Sequence, residues 1–175
     1  TLDGPQGLNV NLNETLVTWS IVMRLQTSEV GSYNRLLDFN DLQNDNGLYV
    51  VGGDVYFWSG GTNNGGSPMQ ANTDHIIALT YDGTTANSYV DGYLNGTSTL
   101  TGAGFPSAMN TFIAFRDDSV EHYPVTVDYL EVFDGALSGT EVAALTGPSP
   151  TPVPLPAPAL LLLGGLAALA LRRRR

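Results

Sequence analysis

His75-Ile76-Ile77-Ala78-Leu79-Thr80-Tyr81-Asp82-Gly83-Thr84-Thr85, with Ser88-Tyr89-Val90-Asp91-Gly92 just after it, reads as two short strands punctuated by tight turns. The runs 76–81 and 87–90 are rich in β-branched and aromatic residues, and each ends in Asp-Gly. Asp-Gly is a preferred pair where a turn needs positive φ. The same grammar continues in both directions. Asp-Gly recurs at 3–4 and 134–135, and Asn-Gly at 46–47, 64–65 and 95–96. Strand-like runs lie at 16–25, 35–39, 48–51, 55–58, 111–115 and 125–133. Many short strands with this punctuation specify an all-β antiparallel sandwich or barrel. The one helix signal in the body is at 138–145, where Ser138 is the expected N-cap and Glu141 stands three residues on.

Charge narrows the partners. Four of the seven basic residues are the terminal arginines, and there is no lysine. The body carries Arg24, Arg35 and Arg116 against all seventeen carboxylates, a net charge of −14. Such a surface repels phosphate backbones and argues against nucleic acid. There is no cysteine, so neither disulfides nor thiol chemistry is available. The chain starts at Thr1 and its first thirty residues hold no secretion signal, so the expectation is that it begins after a cleavage or is a fragment.

The end of the chain differs from the body. Residues 148–158 are spaced with prolines, and 148–152 read as a stiff linker after a domain of residues 1–147. Val153-Pro154-Leu155-Pro156-Ala157 follows, then an apolar run to Leu171 and the arginines Arg172 to Arg175. From 159 to 171 there are thirteen residues, roughly 20 Å of helix at ~1.5 Å per residue. A bilayer core of ~30 Å needs about 20 residues, so this is a marginal transmembrane helix with its arginines on the cytoplasmic side. The order of parts in 153–175 resembles the PEP-CTERM class of bacterial sorting signals in its Val-Pro-Leu-Pro-Ala variant. The resemblance implies a transient stay in the inner membrane through 158–171 and processing by an exosortase. It also implies delivery to the cell envelope, cell surface or extracellular matrix. An ordinary tail anchor is the alternative.

The body carries a second resemblance. The His-led strand ending in Tyr81-Asp82-Gly83, with a return strand ending in Tyr89-Val90-Asp91-Gly92, resembles the hairpin of laminin-G-like, concanavalin-A-like lectin/glucanase domains. Val127-Asp128-Tyr129-Leu130-Glu131-Val132-Phe133-Asp134-Gly135-Ala136-Leu137-Ser138 is similar to the last strand of that family and the turn into a short helix. Leu2-Asp3-Gly4 and Gly53-Asp54-Val55-Tyr56-Phe57-Trp58 stand where its first strand and middle hairpin fall. The tryptophan usual before the His-led strand is absent, with Thr73-Asp74 in its place. The resemblance implies a jelly-roll β-sandwich over residues 1 to about 145.

Site candidates follow. Strand alternation places Asp128 on one face with Leu130 and Val132, pointing inward. The resemblance implies a structural calcium ion at Asp128, a backbone-bonded carboxylate being the alternative. Tyr56 and Trp58, with Asn63 and Asn64 in the glycine-rich loop 59–67, form a candidate glycan site; packing between sheets is the alternative. Asp117, Asp118, Glu121 and His122 read as a cation site or a solvated loop. His75 reads as a hydrogen-bonded structural residue and Trp19 as core. No carboxylates recur at every second strand residue as in retaining glucanases of this shape, and no nucleophile elbow occurs. The expectation is therefore a non-catalytic lectin-like domain that binds polysaccharide or a matrix partner. A purely structural matrix component and a glycan-active hydrolase or lyase are the alternatives.

If 153–157 is a sorting motif, protein recovered from its native cells will lack the apolar segment and Arg172 to Arg175. Intact-mass spectrometry checks this, and the arginines persisting on most molecules would show an ordinary anchor.

Overall fold

The computed structural model describes residues 7–43, 45, 47–58, 61–63, 66–99, 108–116 and 123–146. The Leu2-Asp3-Gly4 segment, the 117–122 acidic cluster and the whole tail with Val153, Pro154, Leu155, Pro156 and Ala157 lie outside them. No helix among the described residues is long and apolar enough to cross a membrane.

The described residues form eleven strands and one helix, in order: β1 Leu8–Leu16, β2 Trp19–Thr27, β3 Asn34–Asp38, β4 Gly47–Val51, β5 Asp54–Phe57, β6 Gly61–Asn63, β7 Asp74–Tyr81, β8 Thr85–Val90, β9 Tyr93–Thr99, β10 Met109–Ala114, β11 Val125–Asp134 and α1 Gly139–Leu145. They form a five-stranded sheet, β1-β10-β3-β4-β5, and a six-stranded sheet, β11-β2-β7-β8-β9-β6. Every ladder is antiparallel. This is the expected two-sheet jelly-roll sandwich.

The inward faces share one core. The six-stranded sheet supplies Trp19, Ile21, Met23, Leu25, Ile77, Leu79 and Val90; the five-stranded sheet supplies Leu37, Leu48, Val50, Val55, Phe57 and Phe112. Burial of these aliphatic and aromatic side chains holds the fold together in the absence of disulfides. One polar tie crosses the core, where Ser88 Oγ donates to Val55 O at 3.1 Å.

Run 16–25 is not one strand. It breaks at Val17 and Thr18, and β2 restarts at Trp19, so Val17 is 62% exposed while Trp19 is fully buried. Strands β1, β6 and β9 are rich in Asn, Gly, Thr and Ser and carry little strand signal of their own; pairing with neighbours makes them strands.

The β7–β8–β9 unit is pinned by His75 and Asp91. Asp91 sits at φ 49° and Gly92 at φ 82° in the turn before β9. The Asp91 carboxylate accepts from Ile76 N–H at 2.9 Å and lies 2.6 Å from His75 Nδ1. Gln70 N–H donates to His75 Nε2 at 2.8 Å. Nε2 is therefore the bare nitrogen, and Nδ1–H donates to Asp91.

The helix closes one outward face. Val142 packs on Val22, Ala78 and Tyr89 of the six-stranded sheet. The expected cap is present: Ser138 Oγ accepts from Glu141 N–H at 3.3 Å, and Glu141 Oε2 accepts from Ser138 N–H at 2.8 Å. The Ser138 hydroxyl and backbone N–H hold the Glu141 carboxyl below its usual range. Its contribution to stability is complete above the ordinary carboxylate pKa and is lost as pH falls through the lowered value.

Asp91→Ala removes two acceptors and leaves a β-carbon in the left-handed region. It should lower the unfolding free energy by about 2–4 kcal/mol in urea titration. A change below about 0.5 kcal/mol, ordinary for a surface position, would show that the pin is dispensable.

Candidate functional site

Among the described residues, no helix lies over the outward face of the five-stranded sheet. Its floor is set by a bulge in β3. Arg35 pairs with Tyr49 and Leu37 with Leu48, so Leu36 is the extra residue. In a regular strand, residues three apart face opposite sides. The bulge restores Arg35 and Asp38 to the same side. Arg35 Nη1 donates to Asp38 Oδ2 at 2.8 Å with both side chains nearly inaccessible, 1% and 0% exposed. Arg35 Nε donates to Tyr49 Oη at 2.6 Å. Asp38 Oδ1 accepts from Asn40 N–H and Leu42 N–H, each at 3.0 Å. Gly47 lies opposite Asp38, and a β-carbon there would strike the Leu37 carbonyl.

Aromatic rings stand over this charged floor. Tyr49 pairs with Tyr56 on β5, while Val55 and Phe57 turn inward. Trp58 follows β5 and its N–H donates to Gly47 O at 3.1 Å. Tyr33 meets Trp58 edge-on at 5.0 Å between centroids, and Tyr49 meets Trp58 at 5.9 Å. Tyr33 is 47% exposed, and Tyr56 and Trp58 are half-buried. Burial raises the Tyr56 phenol pKa, with Tyr33 and Asp54 adding to the shift. The result is an aromatic shelf on a rigid base, with ring faces and edges open to solvent. Such a surface can stack on the C–H face of a sugar ring while the phenols pair with its hydroxyls.

Tyr56 and Trp58 thus lie together on the outward face and do not pack between sheets. The Asn63 backbone belongs to β6 of the other sheet, opposite Gly96. Asn64 lies outside the described residues. Tyr33, Arg35 and Asp38 were not singled out from sequence. The available signal was an Arg-x-x-Asp in a strand, which has no meaning until the bulge is known.

Asp128 is corrected. A second bulge lies between Val127 and Tyr129, where Val127 pairs with Leu25 and Tyr129 with Arg24, leaving Asp128 unpaired. Val127, Leu130 and Val132 face the core, while the Asp128 side chain is 72% exposed. It stands 3.6 Å from Arg24 Nε, and Arg24 also pairs with Asp74 at 3.0 Å. The hydrogen bond to Asp74, then the Asp74 and Asp128 charges, raises the Arg24 pKa. Calcium needs several oxygens and no competing cation. The carboxylate stands beside a guanidinium, and no group of three or more metal-ligating side chains occurs among the described residues. His75 is structural, as expected, since the nitrogen that would exchange a proton with a substrate is held by Gln70 N–H.

The sandwich, the β7–β8 hairpin and the last strand running into a capped helix together define a class. Residues 6–143 match the Laminin_G_3 family of the concanavalin A-like lectin/glucanases superfamily. The chain belongs to that family. No curated protein sequence matches it. Among solved structures it is similar to domain 4 of AbnA, a GH43 extracellular arabinanase from Geobacillus stearothermophilus solved with arabinotriose. There the identity is 16%, the TM-score 0.57, and 74% of this chain and 66% of that one are covered. It is also similar to a sialidase from Trypanosoma rangeli in complex with the inhibitor DANA, at 18% identity and TM-score 0.56, over 74% of this chain and 22% of that one. The binding domain of botulinum neurotoxin serotype D gives 12% identity and TM-score 0.56, over 79% and 39%. The chain thus spans less than two thirds of each of these neighbours. At such identities the likeness shows the fold.

These neighbours correct the expectation that the chain is not an enzyme. The same fold stands in an arabinanase and in sialidases, so the missing glucanase-like carboxylate string is no ground for excluding glycan chemistry, and the exclusion is withdrawn.

Asp38→Ala removes the nearest carboxylate of a buried guanidinium, leaving it Tyr49 and the more distant Asp45, and frees two loop N–H groups. It should destabilise by about 3–5 kcal/mol in chemical denaturation. Asp38→Asn keeps an acceptor for the loop and should lose less. A loss under about 1 kcal/mol for Asp38→Ala, the range of an exposed pair, would mean that the ion pair does not hold this face.

Proposed function

We propose that this domain is a glycan-recognition module whose ligand lies on the outward face of the five-stranded sheet, stacked on Tyr33, Tyr56 and Trp58. The observation that carries this reading is the placement of three large aromatic side chains outside the core, over a buried Arg35–Tyr49–Asp38 network. Burying a charged pair under a solvent-facing shelf fixes the rings and lowers the entropy lost on binding. The superfamily supports the substrate class, and the arabinanase domain solved with arabinotriose supports it further. On the same reading, 153–175 delivers the domain to the cell envelope or matrix, where polysaccharide is the abundant partner.

Affinity electrophoresis through gels containing soluble polysaccharides tests the reading. Trp58→Ala should weaken retention by at least about tenfold, as expected for a central aromatic anchor, with no loss of folded structure by circular dichroism. Unchanged retention of Trp58→Ala would move the ligand off this face.

A further inference from the structure

A groove of about 450 Å³ opens at the far side of the same sheet face, between the loop after β3 and strand β10. Phe39, Phe112 and Ile113 supply its apolar lining; the Phe39 and Phe112 rings pack into the core, tilted at 45° and 6.1 Å apart between centroids, with Phe39 5.3 Å from the buried Trp19. Its rim carries Asn40, Asp41, Gln43 and Thr111. The lining therefore joins apolar side chains to two amides, a carboxylate and a hydroxyl. That is the composition of a pocket for a small polar ring, and the volume lies in the range of small-ligand sites.

The groove wall is held in an unusual shape. Asp41 and Leu42 both adopt positive φ, 52° and 58°, in succession. Their turn is tied down by Asp38 Oδ1 through Asn40 and Leu42 N–H, so the ion pair under the shelf also fixes the groove. Thr111 Oγ1 donates to Val10 O at 2.9 Å, which leaves its lone pairs free to accept. The register aligns the two places. Ile113, on the groove, is opposite Asp38, which is opposite Gly47, whose carbonyl holds Trp58 N–H. Gly47 has no side chain to block the way. Three strand spacings of about 4.8 Å, or about 14 Å, separate β10 from β5.

We propose that this groove is a second subsite on the glycan face, taking one ring of a neutral polysaccharide whose neighbouring rings stack on Trp58. The proposal rests on the glycan reading above. The ligand is neutral because Asp41 lies at the rim and the body carries three arginines against seventeen carboxylates, which repels uronic acid polymers. The site takes part of a chain and not an isolated sugar, because shelf and groove share one transverse row.

The test compares wild type, Trp58→Ala and the double variant Asp41→Asn/Gln43→Ala, all as the full chain. Affinity electrophoresis uses arabinan, xylan, glucomannan and mixed-linkage glucan, with polygalacturonate and alginate as acidic counterparts. Asn tolerates left-handed φ, and Gln43 is exposed, so the double variant should melt as wild type does. The expected result is retention by a neutral polymer, reduced about tenfold in the double variant, and no retention by the acidic polymers. Retention that Trp58→Ala abolishes and the double variant leaves intact overturns the groove alone. Retention by the acidic polymers overturns the assigned ligand class. No retention of the wild type by any polymer overturns the glycan reading and the subsite with it.

Discussion

The ion pair between Arg35 and Asp38 is the constraint from which the functional face follows. Both groups are nearly inaccessible although they sit on the outward side of a sheet. Burying charge is unfavourable unless pairing and hydrogen bonds compensate, so everything around the pair is shaped to supply them. Tyr49 offers its hydroxyl and its ring to Arg35, with the guanidinium carbon 5.0 Å from the ring centroid. The loop after β3 turns two N–H groups onto Asp38 at the expense of two left-handed residues. Gly47, opposite Asp38, leaves room for the close approach of the Leu37 carbonyl. Asp45 adds a second carboxylate 3.8 Å from Arg35 Nη2, and Trp58 packs on Tyr49 and Tyr33. The shelf and the groove are the two sides of this arrangement.

The two sheets of the sandwich are finished differently. The six-stranded sheet has Val142 of α1 on its outward side, and its hairpin is pinned by His75 and Asp91. Asp128 and Arg24 then place charge on the outward side of its β11 edge, and the β11 bulge interrupts the ladder there. Charge and a bulge at an edge strand discourage pairing with another chain. Among the described residues the five-stranded sheet has no helix on its outward side and carries Tyr33, Tyr56 and Trp58 there. The two outward faces thus differ in chemistry, one carrying a packed helix and the other an aromatic shelf.

What the sequence showed and hid has a common physical cause. The β7–β8 hairpin was legible because Asp-Gly turns and β-branched runs are local signals, and so was the α1 cap, where Ser138 and Glu141 are three residues apart. Trp19 as core and His75 as a structural residue were legible for similar reasons. Alternation failed at Asp128 because one bulged residue reverses every facing beyond it, and a single sequence carries no mark of a bulge. Arg35 and Asp38 were missed for the same reason. Tyr56 and Trp58 could be seen as a pair, but their facing depends on which of β5's two sides meets the other sheet, which is decided by long-range pairing with β4.

The central claim is that ligand meets the outward face of the five-stranded sheet, and the two tryptophans report on it separately. Trp19 is fully buried in the core, whereas Trp58 is half-buried on the shelf. In a proton–nitrogen correlation spectrum each gives one indole N–H signal. On titration with an oligosaccharide cut from the polymer that retains the protein, the Trp58 signal should shift and saturate while the Trp19 signal stays in place. A saturating titration that leaves Trp58 unmoved and displaces resonances of the six-stranded sheet would contradict the account.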